Sequence, residues 1–305
     1  MNGNKIIISK AAVTGPFDIL KDYVSLFKIH LCLYIGLSSV LGHVMAGQRF
    51  SLDALVSGLL VMVLACGSAV LNNVQDRGYD RFFQRTCRRS LPRKRVPVVH
   101  ATVIAVTMIG CGLSGLLFFK GFHPFFWGVA AVICYNGLYT PLKKRSLLAI
   151  IPGSLSGMLP PLIGWTAAGR PMLDSSILIL MVIFVLWQIP HFFIVLLKTE
   201  TDQPGQSNLK KFPCFTHLFS PNEIKLQILI WTSLYSLAIF FFLVNGSIKN
   251  PLLSSISGLN AVGVLFLILT IMLNQSEKFI PIAFAAINLS MLLLMGIGIC
   301  DKCFV

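Results

Sequence analysis

The sequence predicts an all-α membrane protein, folded as a single bundle of nine transmembrane helices within one domain covering residues 1–305. Three observations carry that expectation. Of the 305 residues, 55% are apolar and only 12% are charged, against roughly 45–50% and about 25% in ordinary soluble chains. Apolar runs of about 17–25 residues recur along the whole chain, each long enough to cross a bilayer as a helix. The cationic residues, finally, are sorted by loop, and alternate loops receive nearly all of them.

In chain order the expected spans are 23–46, 52–73, 98–119, 123–140, 147–168, 175–197, 224–245, 251–273 and 279–300. The third and fourth are separated only by "KGFHP". The first 22 residues are mixed and polar. They lack a short apolar core followed by a small-residue cleavage site, so a polar cytoplasmic segment is expected there rather than a removable signal peptide.

The net charge of +14 is explained by topology. With the N-terminus in the cytoplasm, 20 of the 25 Lys and Arg residues fall on the inner side, eight of them between Arg77 and Arg95. The outer side receives Arg49, Lys120, Arg170, Lys249 and Lys302. This positive-inside bias fits an odd number of spans in the cytoplasmic membrane. It removes the need for a nucleic-acid partner. The eight cysteines are scattered; Cys32, Cys66, Cys111 and Cys134 fall in spans as small apolar residues. Cys300 and Cys303 form a C-x-x-C with no second ligand pair, so neither a metal nor a redox role is expected.

Two long hydrophilic loops, about 74–97 and 198–223, break the pattern of short connections, both on the basic side. Long loops on one face of a bundle tend to carry function. At the edge of the first, Asn72, Asp76 and Asp80 stand four residues apart, which stacks them on one helical face. Acidic groups at that depth cost about 2.5–3.5 kcal/mol each on insertion scales. Two carboxylates with a neighbouring amide suit Mg²⁺, which completes its shell with water and substrate phosphate. The basic run from Arg85 through Arg89 to Arg95 would stabilise a leaving diphosphate. The structural alternative is an interfacial helix end whose carboxylates pair with Arg77, Arg81 or Arg85.

Two further segments add candidates. "WQIPHFFIVLLKTETDQ" closes the sixth span and supplies Glu200 and Asp202, either a polar loop start or a second carboxylate cluster across a cavity from the first. Within it, His191 is either a hydrogen-bonded structural residue or a contact to the iron or polar edge of a haem- or quinone-like ring. "YNGLYTPLKKRS" places Tyr135 and Tyr139 on one helix face, followed by Lys143, Lys144 and Arg145. It reads as an aromatic belt with anchoring cations, or as tyrosine rings lining a channel that stabilises a carbocation while the cations grip phosphate.

These segments resemble the intramembrane aromatic prenyltransferase superfamily and, within it, the protoheme IX farnesyltransferase (haem O synthase) family. The resemblance covers about 20–215. It rests on "NNVQDRGYDRFFQRTCRRSLPRKRV", on "YTPLKKRSLLAIIPGSLSGMLPPLIGWTAAG" and on "WQIPHFF". The PPLIGW run with W-x-x-P-H-F is the part that separates haem farnesylation from quinone prenylation. The chain departs from the family pattern at Lys28, Ile29 and His30, where Lys-Pro-Arg is typical. It departs again at Thr201 and Asp202, where two aspartates are typical, and at "SNLKKFPCF".

The resemblance implies a bundle around a central cavity open to the cytoplasmic side, and transfer of farnesyl from farnesyl diphosphate to the vinyl group of haem B. It implies Mg²⁺ on Asn72, Asp76, Asp80, Glu200 and Asp202, with Asp76, Asp80, Lys143 and Lys144 acting in catalysis. Asn72, Arg85, Arg89, Tyr135, Tyr139, Trp187 and His191 would contact the substrates. Haem B is a substrate there, not a cofactor, and its product would pass to a haem-accepting oxidase pathway. The alternatives are a relative that prenylates an aromatic acid, a small-molecule transporter and a catalytically silent assembly factor.

Overall fold

The computed structural model describes residues 16–47, 49–83, 86–200, 219–274 and 277–303, and within them all side chains but those of residues 16, 198–200 and 277. The helices are α1 (Pro16–Leu26), α2 (Ile29–Gly47), α3 (Leu52–Asp80), α4 (Val98–Lys120), α5 (Phe122–Val132), α6 (Thr140–Leu142), α7 (Ile150–Ala167), α8 (Ser175–Glu200), α9 (Pro221–Val244), α10 (Pro251–Leu273) and α11 (Ile280–Asp301). A π-helical segment, Ile133–Tyr139, joins α5 to α6. Nine helices among the described residues are long and apolar enough to cross a membrane.

The first expected span, 23–46, is corrected. Lys28 sits at φ 50, in the left-handed region, and no continuous α-helix passes through such a residue. The chain therefore turns there, and residues 16–26 form a separate short helix. The second span is longer than its apolar run. α3 continues for two turns beyond residue 73, because its polar end is buried by the bundle rather than dissolved in a loop.

Close packing holds the layers. A Cβ on Gly42 would lie 1.9 Å from the Pro161 carbonyl oxygen, and one on Gly164 would lie 1.9 Å from that of Ser39. Small residues thus let α2 and α7 cross nearly backbone to backbone, the usual solution where no hydrophobic force drives helices together. Large side chains such as Phe184, Tyr235 and Phe242 fill the centre, while Phe118, Leu259 and Val244 point outward. An outward apolar belt is what a lipid-facing surface requires.

Candidate active site

The last two turns of α3 carry a buried acidic column. Asn72, Asp76 and Asp80 are 2%, 5% and 7% exposed. Burying carboxylates is tolerated only when cations and hydrogen bonds compensate them, and here both do. Lys143 Nζ donates to Asp76 Oδ2 at 2.6 Å, and Lys144 Nζ stands 2.8 Å from Asp76 Oδ1. Arg89 donates to Asp80 Oδ2 at 2.8 Å. Asn72 Nδ2 donates to Asp76 Oδ2 and to Thr140 Oγ1, each at 3.0 Å, while Asn72 Oδ1 accepts from Lys28 Nζ at 2.9 Å.

The π-helical segment aligns the opposing wall. Its wide turn leaves Thr140 Oγ1 donating to the Tyr135 carbonyl at 2.8 Å. Gln75 Nε2 donates to the Asn136 carbonyl, and Asn136 Nδ2 to the Ser68 carbonyl, each at 3.0 Å, which locks the segment to α3. Such bulges concentrate at functional sites. Tyr135 and Tyr139 stack at 5.6 Å, and Lys143 Nζ lies 5.2 Å from the Tyr139 ring centre.

A cavity of about 1000 Å³ is lined by this polar cluster at one end. Its other wall is a row of rings. Tyr34 stacks on Trp187 at 5.3 Å, Trp187 lies 5.3 Å from His191, and His191 lies 4.9 Å from Phe284. Trp187 Nε1 is spent on the Ile287 carbonyl at 2.9 Å, so the ring offers only its apolar surface to the cavity. Tyr34 OH, Gln188 Oε1 and His191 Nδ1 are buried on this wall without hydrogen-bond partners. Orphaned buried polar atoms are uncommon, and three on one wall suit a ligand that supplies their partners.

Ten candidate residues therefore line one cavity: Asn72, Asp76, Asp80, Arg89, Tyr135, Tyr139, Lys143, Lys144, Trp187 and His191. Arg85 and Asp202 lie outside the described residues; Glu200 ends α8, but its side chain is not described. The expected second carboxylate cluster falls there too. Sequence reasoning missed Lys28, Thr140, Tyr34 and Gln188. A lysine before an apolar run reads as a topological anchor, and only the turn at Lys28 brings it inward. Burial first, then the Arg89 and Lys143 cations, draw its ammonium down to about 8, with Asp76 and Asp80 pulling the other way.

The donor set of two carboxylates and the Asn72 amide suits a hard divalent cation, with Lys143 and Lys144 on Asp76, Arg89 on Asp80 and Lys28 on the Asn72 oxygen. Residues 36–294 match the family model described as "UbiA prenyltransferase family". The chain belongs to the UbiA prenyltransferase family. Among its relatives, the protoheme IX farnesyltransferase of Geobacter sulfurreducens is 40% identical over 169 residues, 55% of this chain and 62% of that protein, less than two thirds of its length. That of Oleidesulfovibrio alaskensis is 28% identical over 93% of this chain and 97% of the relative. That of Aquifex aeolicus is 32% identical over 76% and 79% respectively.

The UbiA fold is recovered in solved structures. The apo structure of a UbiA homolog from Aeropyrum pernix K1 superposes with a TM-score of 0.70 at 15% identity, covering 90% of this chain and 98% of that one. A UbiA homolog from Archaeoglobus fulgidus bound to GPP and Mg²⁺ gives 0.66 at 16%, covering 92% and 99%. At such identities they establish the fold alone.

Proposed function

We propose that this UbiA family member transfers the farnesyl group of farnesyl diphosphate to the vinyl group of haem B, forming haem O. The observation that carries the reading is one cavity with two unlike ends: an acidic column ringed by cations, and a wall of stacked rings with unpartnered polar atoms. The first end suits a metal-bound diphosphate, the second a flat macrocycle. The curated relatives named protoheme IX farnesyltransferase support the choice of acceptor.

Asp76 and Asp80, with Asn72, would hold Mg²⁺, which on binding neutralises diphosphate charge and makes pyrophosphate a better leaving group; Glu200 or Asp202 would hold a second ion. Lys143, Lys144, Arg85 and Arg89 take up the negative charge that grows as the allylic C–O bond breaks. The faces of Tyr135 and Tyr139 border the space beside the column and stabilise the allylic cation. The apolar cavity keeps water away until the haem vinyl carbon forms the new C–C bond. The cation left on the acceptor then takes hydroxide from water, which releases one proton.

The protein would lie in the cytoplasmic membrane with its N-terminus and the acidic column on the cytoplasmic side, as the positive-inside bias favours. The decisive experiment gives purified protein farnesyl diphosphate and Mg²⁺ with either haem B or 4-hydroxybenzoate and weighs the products. A mass gain on haem B is expected. A prenylated benzoate instead would overturn the acceptor, and no product from either would overturn the reading.

A further inference from the structure

Beside the reaction cavity lies a second chamber of about 510 Å³, between α1 and the segment that follows α3. That volume is within the range of small-molecule sites, about 300–1,000 Å³. Lys28, Asp80 and Arg89 line both spaces and form the partition between them. Lys28 faces the reaction cavity through its hydrogen bond to Asn72 Oδ1. Arg89 has five N–H donors in a rigid fork. It commits an NH1 proton to Asp80.

The chamber is cationic. Lys21, Lys28, Arg88, Arg89 and Arg95 oppose Asp18, Asp22 and Asp80 around it. Two of these three carboxylates are already compensated, Asp80 by Arg89 at 2.8 Å and Asp22 by Arg95 at 3.4 Å. Its outer wall is fixed by a clasp: Ser90 Oγ donates to Asp22 Oδ1 at 3.1 Å and lies 3.0 Å from Ser25 Oγ. Leu26, Leu91 and Val96 cluster beneath it. An isoprenoid tail would leave the ionic side chains of this lining buried without partners, whereas a small hydrated polyanion meets them.

We infer that this chamber binds inorganic pyrophosphate, the product that leaves when the prenyl group is transferred, and passes it outward from the reaction cavity. The inference rests on the prenyl-transfer reading above, which makes pyrophosphate the product. An anion released at Asp76 and Asp80 already lies beside Lys28 and Arg89. It can cross the partition without losing contact with a cation, which removes the desolvation barrier of an unaccompanied charge. The prenylated acceptor, being apolar, keeps to the reaction cavity. Two products of opposite solubility thus leave by different walls.

The test is equilibrium and kinetic. Ser25→Trp adds bulk at the clasp on the outer wall, at a residue that lines this chamber and not the reaction cavity. Titrated with inorganic pyrophosphate and Mg²⁺, the wild type is expected to bind two per chain and Ser25→Trp one. In turnover, Ser25→Trp is expected to keep its single-turnover rate within about twofold. Its steady-state rate should fall at least about fivefold, after a burst equal to the enzyme present.

Lys21→Gln is exposed and mild, and guards against misfolding of the bulkier variant. It should raise the inhibition constant for pyrophosphate several-fold and leave the KM for farnesyl diphosphate unchanged. Wild-type stoichiometry and kinetics in both variants, or an inhibition constant and KM that rise together, overturn the chamber. Loss of one bound pyrophosphate in Ser25→Trp supports it even where haem B is not prenylated. Failure of the haem reading is therefore separable from failure of this one.

Discussion

Lys28 Nζ donates a 2.9 Å hydrogen bond to Asn72 Oδ1, tying the residue at which α1 turns into α2 to the first rung of the acidic column on α3. Left-handed backbone at a lysine costs energy and persists where the surroundings over-determine it. The turn supplies a cation to the diphosphate end of the cavity.

The ammonium of Lys28 titrates at about 8, below its ordinary 10.5, chiefly because it is buried. A base whose folded value is lowered is charged at a cost below about pH 8. That cost is relieved as pH rises from about 8 to 10.5, where the unfolded chain binds the proton and the folded chain does not. Activity runs the other way, since only the charged form attracts diphosphate. We expect kcat/KM for farnesyl diphosphate to fall with unit slope above about pH 8, the limb that reports the free enzyme. Lys28→Met should remove that limb, lower kcat/KM about 10- to 100-fold at pH 7, and melt no lower than wild type. An unchanged limb in Lys28→Met would assign the titration elsewhere.

Asp76 carries two ammonium groups, and its neutral analogue would leave both without a buried counter-charge. Asp76→Asn is expected to lower turnover by about 10²–10³-fold or more, the scale of losing one transition-state electrostatic contact. The variant should still insert and elute as a single species in detergent. Wild-type rates with excess Mg²⁺ would remove Asp76 from the metal assignment.

Much of this arrangement was legible in the sequence because it depends on local spacing. Nine apolar runs correspond to nine candidate spans among the described residues, and the four-residue intervals of Asn72, Asp76 and Asp80 remain one column, since α3 stays helical to Asp80. What escaped depends on chain turns or on distant partners. An apolar count over 23–46 runs straight through Lys28, because it is blind to a single left-handed residue. The π-helical turn at 133–139 has no periodic signal over seven residues. Tyr34 and Phe284 join one wall from helices separated by most of the chain, and an isolated aromatic residue in a span looks like any other.

Gly157 makes room for Gln188 on the wall of rings. A Cβ there would lie 1.6 Å from Gln188 Oε1 and 2.6 Å from its Cδ. The glutamine end is flexible, so Gly157→Ala should displace it rather than unfold the bundle. Gln188 and its neighbour Trp187 both line the cavity. The KM for haem B is expected to rise about tenfold or more, the loss of roughly 1.4 kcal/mol or more of binding, with the KM for farnesyl diphosphate unchanged. Equal increases in both constants would show that the wall of rings does not belong to the acceptor alone.

The far end of the bundle should control stability without touching chemistry. Asp301 is fully buried and pairs with Lys302 Nζ at 2.8 Å. Its carboxylate also accepts from Lys249 N at 3.1 Å and Asn250 N at 2.8 Å, which caps the start of α10. Lys302 Nζ donates to the Ser247 carbonyl, and Phe50 N to the Lys302 carbonyl, so the α2–α3 and α9–α10 connections meet the end of α11 at one ion pair. The acidic column lies at the opposite end of α2, whose 19 residues span roughly 28 Å at about 1.5 Å each. Removing one partner of a buried pair costs about 3–5 kcal/mol. Asp301→Ala should therefore lower the melting temperature in detergent sharply, while the single-turnover rate of the folded fraction stays at the wild-type value. A rate that falls with the melting temperature would mean that the two ends of the bundle are coupled through α2.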